Sequence, residues 1–551
     1  MKTCHIPPFR TLQRKLLTAF LGGALATLAA LPQSAVAAPA AGPDTSQVGA
    51  NVTGAMAVDE ASLTNVIHVD MNSAAADDAG PGTQGKPLKT FHAGMKRAVA
   101  DQAAGKPTRL VLHPGVYREA YVEPSKWVHL TEVKPATPSE PWLVIEAAKP
   151  GTVTISGAEP LSGWTDAGGG VWTRDWPISK KEKSNEAIPA PGAFSWDKAL
   201  LAHPLREGFR FQTWPRFTPM GYRPEGITHA GVVLRQVLER AALTPGKFWI
   251  DDANSKAYLM LREGTAFKDA SVEVTVRQRL LQLFGKRKVA LRGLAFVSGG
   301  SLITKNSTFM QSVQIPTSTD ILIEDCRFDG HSGGALGMLR SRNVTFRRTT
   351  FNDNGWLGFG GSRIQNMLVE DCESSRNHWR GEKDPFEWGG GSFRINDCAD
   401  VVIRNHKATG NYVVALYFDT DTSNLLIDRP VLTDNFSDGI FLERNQGPNV
   451  VRGATIINNW GSGIELASRH VTIENSVIVG NGSPNYLARG PVGQISFAVH
   501  DLVREVMHRG TTEPADEQYQ LIMDHLTLRN NIIASTSRFQ PLFVGLNNPE
   551  L

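Results

Sequence analysis

The sequence predicts an all-β fold, a right-handed parallel β-helix, on three observations. Short strands of alternating polarity recur along the C-terminal half, one strand-rich unit occupies about 21–25 residues, and an asparagine recurs at a fixed offset behind the strands. The strands begin at Ile321 (ILIEDC), Val344 (VTFRRT), Met367 (MLVEDC), Val401 (VVIRNH), Leu425 (LLIDRP), Val450 (VVRGAT), Val471 (VTIENS) and Leu521 (LIMDHL). Their starts lie 23, 23, 34, 24, 25, 21 and 50 residues apart, so one period recurs with two long insertions.

The asparagines come ten residues after the strand starts, at Asn354, Asn377, Asn411, Asn435, Asn481 and Asn531, with Asn459 at nine. Asparagine tolerates the left-handed turn conformation, and identical stacked turns let the amides bond one another as an internal ladder. Cysteine usage fits the same register. Cys4 lies in the leader, while Cys326 and Cys372 share offset five on coils separated by one intervening coil. Backbones at twice the ~4.8 Å strand spacing are too far apart for a disulfide. Cys326, Cys372 and Cys398 are therefore expected as buried free thiols.

The remaining segments are assigned around this column. Residues 1–37 read as a secretory signal peptide. Basic residues precede the apolar run Leu16–Leu31, small residues follow, and cleavage is placed after Ala37. The run is short and dilute for a membrane span, so a secreted or periplasmic protein is expected. Residues 38–64 read as a flexible lead-in. Residues 65–160 read as an N-terminal cap and the first coils, with a strand, a Gly/Pro loop and a helix that shields the end of the solenoid. Residues 161–288 lack the period and carry six of the twelve tryptophans, Trp164, Trp172, Trp176, Trp196, Trp214 and Trp249. They read as a β-rich insertion on the flank, its rings mostly packed in a core. Residues 289–551 form the main β-helix.

Composition narrows the function. The chain is 41% hydrophobic and 20% charged, as for a packed water-soluble protein. Its formal charge of +3 includes Lys2, Arg10, Arg14 and Lys15, and residues 1–37 contain no Asp or Glu, so the remainder stands at −1. A near-neutral body argues against a nucleic-acid partner. No compact ligand spacing for Ca²⁺ or Zn²⁺ is present, so no cofactor is expected and Ca²⁺ is unsupported. Nothing in the sequence specifies an oligomeric state.

Chemistry concentrates on three strands, ALYFD (Ala415–Asp419), GIFLE (Gly439–Glu443) and GIELA (Gly463–Ala467). Asp419 follows Val401 by 18 residues and Glu443 follows Leu425 by 18, which puts two carboxylates in one column about 4.8 Å apart. Alternation places Tyr417 and Phe441 on their face and Leu416, Phe418, Ile440 and Leu442 inside. Two acids this close repel, and one pKa is expected to rise. An ionised and a protonated carboxyl side by side are the pair of a retaining glycosidase, which holds them about 5–5.5 Å apart. A purely structural origin competes, since Glu324 with Asp325 and Glu370 with Asp371 also put acids at recurrent positions.

The stretch Val413–Ser468, with Tyr417–Asp419, Gly439–Glu443 and the Gly447-Pro448 turn, resembles the active-site coils of right-handed β-helix glycoside hydrolases of the β-xylosidase type. The resemblance implies Asp419 as nucleophile and Glu443 as acid/base. It departs at Tyr417, where those enzymes often carry Trp, and this bears on the substrate more than on the reaction. The opening, Ile67–Glu119, resembles the N-terminal module of many extracellular β-helix proteins. The FEWGGGSFR segment, Phe386–Arg394, resembles the Gly-rich strand bordering the cleft in such enzymes.

Around the pair, Arg394 is expected in the acid column beside Asp419, and Glu387 as a partner of sugar hydroxyls. Glu465 aligns with Tyr417 and Phe441. Asp421 and His378 are candidate subsite residues, with a turn role competing for His378. Trp356, Trp379, Trp388 and Trp460 follow turns on one flank as candidate floors for sugar rings, and His203 and Arg206 as residues closing the cleft. The leading function is a secreted retaining glycoside hydrolase acting on plant- or algal-type poly- or oligosaccharides. A polysaccharide lyase or uronan epimerase, or a non-catalytic carbohydrate-binding solenoid, is the alternative on the same fold.

Overall fold

Period-2 alternation puts every second side chain of each repeat inside, and the inward positions stack without a break. Val289, Ile321, Val344, Met367, Val401 and Leu425 occupy one column, Leu291, Ile323, Phe346, Val369, Ile403 and Ile427 the next, and all are buried. The computed structural model describes residues 45–52, 56–123, 136–177, 220, 223, 225–300, 311–381, 390–486, 492–497 and 525–545. They belong to one unit, Thr45–Leu551. The expected signal peptide lies outside the described residues. No helix among the described residues is long and apolar enough to cross a membrane.

Each coil gives one strand to each of three parallel faces. One face is a twelve-stranded sheet running from Asn65–Val69 to Leu526–Arg529, and the second is an eleven-stranded sheet from Tyr121–Val122 to Phe543–Gly545. The third is a four-stranded and a five-stranded run joined by single bridges through Thr350 and Glu373. Phe296, Phe328 and Phe351 stack inside at 5.3 and 5.5 Å between ring centroids. The helix Phe91–Ala103 closes the N-terminal end: Thr90 caps it by accepting from the Ala93 N–H, and Phe91, Met95 and Ala98 enter the core.

The asparagine ladder is continuous from Asn354 through Asn377, Asn411, Asn435 and Asn459 to Asn481, each residue's Oδ1 accepting the backbone N–H of the preceding one. Two sequence assignments shift. The Val450 strand begins one residue earlier, with Asn449 in the Leu425 column, so Asn459 sits at offset ten like the others. The last described strand of the twelve-stranded face starts at Leu526, not Leu521, and residues 521–524 lie outside the described set. Asn531 therefore falls five residues into its coil, the position of Cys326, Cys372 and Ser476. There it bonds Ser476 and the Ile473 carbonyl, while Gln494 continues the ladder from Asn481. The three described cysteines are free and buried, and burial pushes their thiols up to about 12.

The lead-in does not behave as a flexible tether. Residues 45–52 and 56–64 lie along the outer face of the twelve-stranded sheet, which carries an outward apolar stripe. Val48 packs on Leu368, Val402, Leu426 and Val450, and Met56, Val58 and Leu63 pack on Trp142, Val144, Ala290 and Leu322. Gly49 (φ +76°) donates to Asn424 Oδ1 at 2.9 Å, and a Cβ there would lie 2.6 Å from Val402 Cγ2. Covering apolar surface stabilises at roughly 25 cal/mol per Å², which the small, polar composition of this segment concealed.

A column of alternating charge runs down the same face. Glu146, Arg292, Glu324, Arg347, Glu370, Arg404, Asp428, Arg452, Glu474 and Arg529 occupy successive register positions. Ion pairs link most neighbours, among them Arg292–Glu324 at 2.7 Å, Arg404–Glu370 at 3.0 Å and Arg452–Asp428 at 3.1 Å.

Between Ala158 and Thr275 an eight-stranded sheet forms, antiparallel except for the pair Val232–Val237 and Lys247–Asp251. Trp164 and Trp176 are in its core, and Trp172 stacks on Phe267 at 3.6 Å. Trp196 and Trp214 lie outside the described residues. Buried Arg380 fastens this sheet to the column, donating to the Ser332 and Glu225 carbonyls at 2.5 Å each and to Gln236 Oε1 at 2.8 Å.

Candidate active site

The strand Val414–Asp419 lies parallel to Ile440–Glu443, with Tyr417 opposite Phe441 and Asp419 opposite Glu443. Leu416, Phe418, Ile440 and Leu442 are in the core of the column, so alternation turns the other four side chains outward. That outward face is not open. Tyr417, Phe441, Asp419 and Glu443 are 1%, 1%, 5% and 3% exposed, and the two rings stack at 5.0 Å and 15°. Two sequence expectations change here, because Tyr417 and Phe441 present no free ring face to a sugar. They form an apolar bed beside the carboxylates.

Two buried like charges would be costly, and the structure brings in two cations. Arg394 Nη2 lies 2.7 Å from Asp419 Oδ2. Arg444 Nη2 lies 3.5 Å from Asp419 Oδ1 and 3.4 Å from Glu443 Oε1, bridging the acids. Thr420 donates to Asp419 Oδ1 at 2.7 Å, and the Tyr417 hydroxyl donates to Glu443 Oε2. The Arg394 guanidinium also sits 4.9 Å from the Tyr417 ring centroid. Burial pushes the Asp419 carboxyl up, but Arg394, the Thr420 hydroxyl and Arg444 together outweigh it and hold Asp419 below the ordinary carboxylate range.

Arg394 reaches Asp419 from a position other than the one expected. It pairs in register with Tyr417, and Asn396 occupies the acid column. The corner from Asn396 to Val401 is one residue shorter than that from Asp419 to Leu425, and the column after Glu443 resumes at Asn449 rather than Val450, so a count of seven back from Val401 overshoots the acid column by two. The long guanidinium side chain makes the bond diagonally. Arg444 was missed, although it directly follows Glu443. Its corner is left-handed (φ +56°), and the same conformation at Arg340 and Arg363 on earlier coils makes it a feature of the coil rather than local strain.

Glu465 stands opposite Phe441, as its alignment indicated. Asp421, in the next corner, accepts from Gln446 Nε2 at 3.2 Å. His378 and Trp356 are buried against each other, ring centroids 4.5 Å apart and edge-on, which removes Trp356 as a sugar floor. Trp379 is likewise buried, with Arg380 over its ring. Trp460 is exposed. Glu387, Trp388, His203 and Arg206 lie outside the described residues. Among the described residues no group of three or more His, Cys, Asp or Glu is arranged to hold a metal. A cavity of about 270 Å³ lies under Val48 and Val52 on the twelve-stranded face, away from the carboxylates.

Residues 292–384 and 382–493 match the family model described as the right handed beta helix region. The chain is a right-handed parallel β-helix. Among solved structures, the complex of XylC with xylose aligns with 78% of this β-helix chain and 74% of its own at 15% identity, with a TM-score of 0.50, a likeness of fold. A structure titled glycoside hydrolase aligns with 85% of this chain and 96% of its own at 10% identity and a TM-score of 0.47. The A-module of the Azotobacter vinelandii mannuronan C-5 epimerase AlgE4 aligns with 83% and 93% at 16% identity and a TM-score of 0.44. No curated protein matches the β-helix chain in sequence.

Proposed function

We propose that this β-helix is an exported glycoside hydrolase that cleaves poly- or oligosaccharides with retention of configuration, Asp419 acting as nucleophile and Glu443 as acid/base. The observation that carries the reading is the in-register acid pair touched by a single guanidinium nitrogen. Because Asp419 Oδ1 and Glu443 Oε1 both lie within 3.5 Å of Arg444 Nη2, their separation cannot exceed the sum of those two distances. That sum barely enters the roughly 6.5–9.5 Å range of inverting enzymes. The environments also differ in kind. Both acids share the longer Arg444 contact, but Asp419 has Arg394 at 2.7 Å to hold it ionised, as a nucleophile must be, whereas the other partner of Glu443 is the neutral Tyr417 phenol.

In this mechanism Asp419 attacks the anomeric carbon while Glu443 protonates the departing glycosidic oxygen. Glu443 then takes a proton from the water that releases the glycosyl-aspartate. Proton NMR of the first-formed sugar, from a screen of aryl glycosides and plant or algal polysaccharides, tests it. Retention is expected, and first-formed inverted product would remove the stacked-pair mechanism.

A second reading, elimination or epimerisation of a uronan, draws on Arg394 beside the Tyr417 phenol, a cation and a proton carrier facing each other on neighbouring strands. Arg394 is already engaged by Asp419, which favours hydrolysis. An unsaturated product absorbing in the ultraviolet would reverse that preference.

A further inference from the structure

One aromatic run on the outer surface is separate from the acid pair. The residues that directly follow the ladder asparagines are stacked turn on turn, and on three consecutive coils they are Tyr412, Phe436 and Trp460. Their backbones are linked by the bonds Phe436 N–H to Asn411 O at 2.7 Å and Trp460 N–H to Asn435 O at 2.8 Å. Tyr412 and Phe436 stack at 4.5 Å and 3°, and Phe436 and Trp460 follow at 5.0 Å and 44°.

The two ends of this run differ. At Tyr412 the flank sheet closes it, with Arg235 lying 4.8 Å from the ring centroid and donating to the Tyr412 hydroxyl. At Trp460 no described side chain of the next coil continues the stack, because the following residue in the column is Gly482. Gly482 has φ +85°, and a Cβ there would lie 2.9 Å from the Val492 carbonyl oxygen, so that position cannot carry a side chain to continue the stack. The indole is left 42% exposed, and among the described residues Trp460 is the one exposed tryptophan. The adjoining turn is polar: the Ser483 N–H donates to the Trp460 carbonyl at 2.8 Å, and Asn485 is exposed beside it in sequence.

A half-open indole that ends an aromatic stack and borders a polar turn suits one ligand chemistry, the apolar face of a pyranose ring with hydroxyls at its rim. Trp460 enters the strand Ile464–Ala467, whose last residue stands opposite Glu443. Four residues of extended chain, Gly463 to Ala467, separate the turn from the acid column by about 13 Å. This is farther than one sugar ring reaches, so the indole would hold a distant unit of a chain.

We propose that Trp460 is a sugar-stacking subsite that binds a saccharide chain away from the carboxylate pair, and that the protein therefore favours oligosaccharides over single sugars. The inference rests on the carbohydrate reading above but not on its chemistry. It is tested by titrating the full-length protein and its Trp460→Ala and Trp460→Phe variants with xylohexaose and with hexamannuronate, followed by tryptophan fluorescence and calorimetry. The wild type should bind at least one hexamer saturably with a change in fluorescence. Trp460→Ala should bind about tenfold more weakly or worse, with Trp460→Phe between them. Equal affinity in wild type and Trp460→Ala, or no saturable binding of either hexamer by the wild type, would overturn it. Binding is read without turnover, so a protein that binds through Trp460 yet hydrolyses nothing would refute the hydrolase reading and leave this one standing.

Discussion

Two outward columns of charge run along this β-helix, and they follow opposite rules. On the twelve-stranded face acids and arginines alternate from Glu146 to Arg529, so each charge has its counter-ion one strand away. On the eleven-stranded face Asp419 and Glu443 are adjacent with no cation between them in register. Their compensation comes from outside the column, from Arg394 two residues off register and from Arg444 in the following corner. A stack of identical coils supplies alternation cheaply, since each position sees its neighbours at one fixed spacing. It has no structural reason to place two acids together and then recruit two arginines to neutralise them. The contrast answers the objection that acids recur along this chain anyway: Glu324 and Glu370 are members of an alternating series, and the Asp419–Glu443 pair is not.

The largest expected difference is in activity. Asp419→Asn and Glu443→Gln should each lower glycosidase turnover by roughly 10²–10⁴-fold while the far-ultraviolet circular dichroism keeps its β signature. Near wild-type turnover in either would reduce the pair to the status of the alternating column. Next in size is the stability of the acid pair. Arg394→Met leaves the buried Asp419 carboxylate without its closest cation and should cost about 3–5 kcal/mol at neutral pH, measured by urea unfolding. The pH dependence sharpens this. Asp419 is held below its unfolded range, so its contribution is present above about pH 4 and is lost as pH falls through the lowered folded value. Removing Arg394 removes the lowering, so the gap between wild type and Arg394→Met should be wide at pH 7 and narrow in acid. A constant gap across that range would mean that the ion pair is not what Arg394 contributes.

How much of this was legible in the sequence depends on whether a feature repeats. The inward strand positions, the asparagine turn and the in-register acids recur at fixed offsets, and counting finds them. The alternating column was equally available, three residues after each true strand start, but one strand start was misplaced by a residue and another by five, which hides a strict alternation. Features that depend on coil corners were not countable, because a corner one residue shorter, together with a strand start misplaced by one, puts Asn396 rather than Arg394 in the acid column. Arg444 lay one residue past a motif that ended at Glu443. The segment 45–64 was misread because its few apolar residues, Val48, Val52, Met56, Val58 and Leu63, match a stripe on the outside of the sheet that no local pattern reveals. Burial of Trp356 and exposure of Trp460 depend on neighbours from other coils, and both follow turns on one flank, which gave them the same expectation.

The asparagine ladder and the charge column offer smaller effects that separate buried from exposed repetition. Asn435 accepts from Asn411 Nδ2 and donates to Asn459 Oδ1, both at 2.8 Å, and donates to the Ala408 carbonyl at 3.1 Å. Asn435→Ala strands those buried partners and should cost about 1–3 kcal/mol, with no dependence on salt. In the charge column Glu370 lies 3.5 Å from Arg347 and 3.0 Å from Arg404, and all three side chains reach water. Glu370→Gln keeps the shape and some hydrogen bonding, so it should cost no more than about 1 kcal/mol, shrinking further as added salt screens the pairs. If Glu370→Gln instead cost as much as Arg394→Met and did not respond to salt, the two columns would be energetically alike, and the case for reading the acid pair as functional would lose its reference.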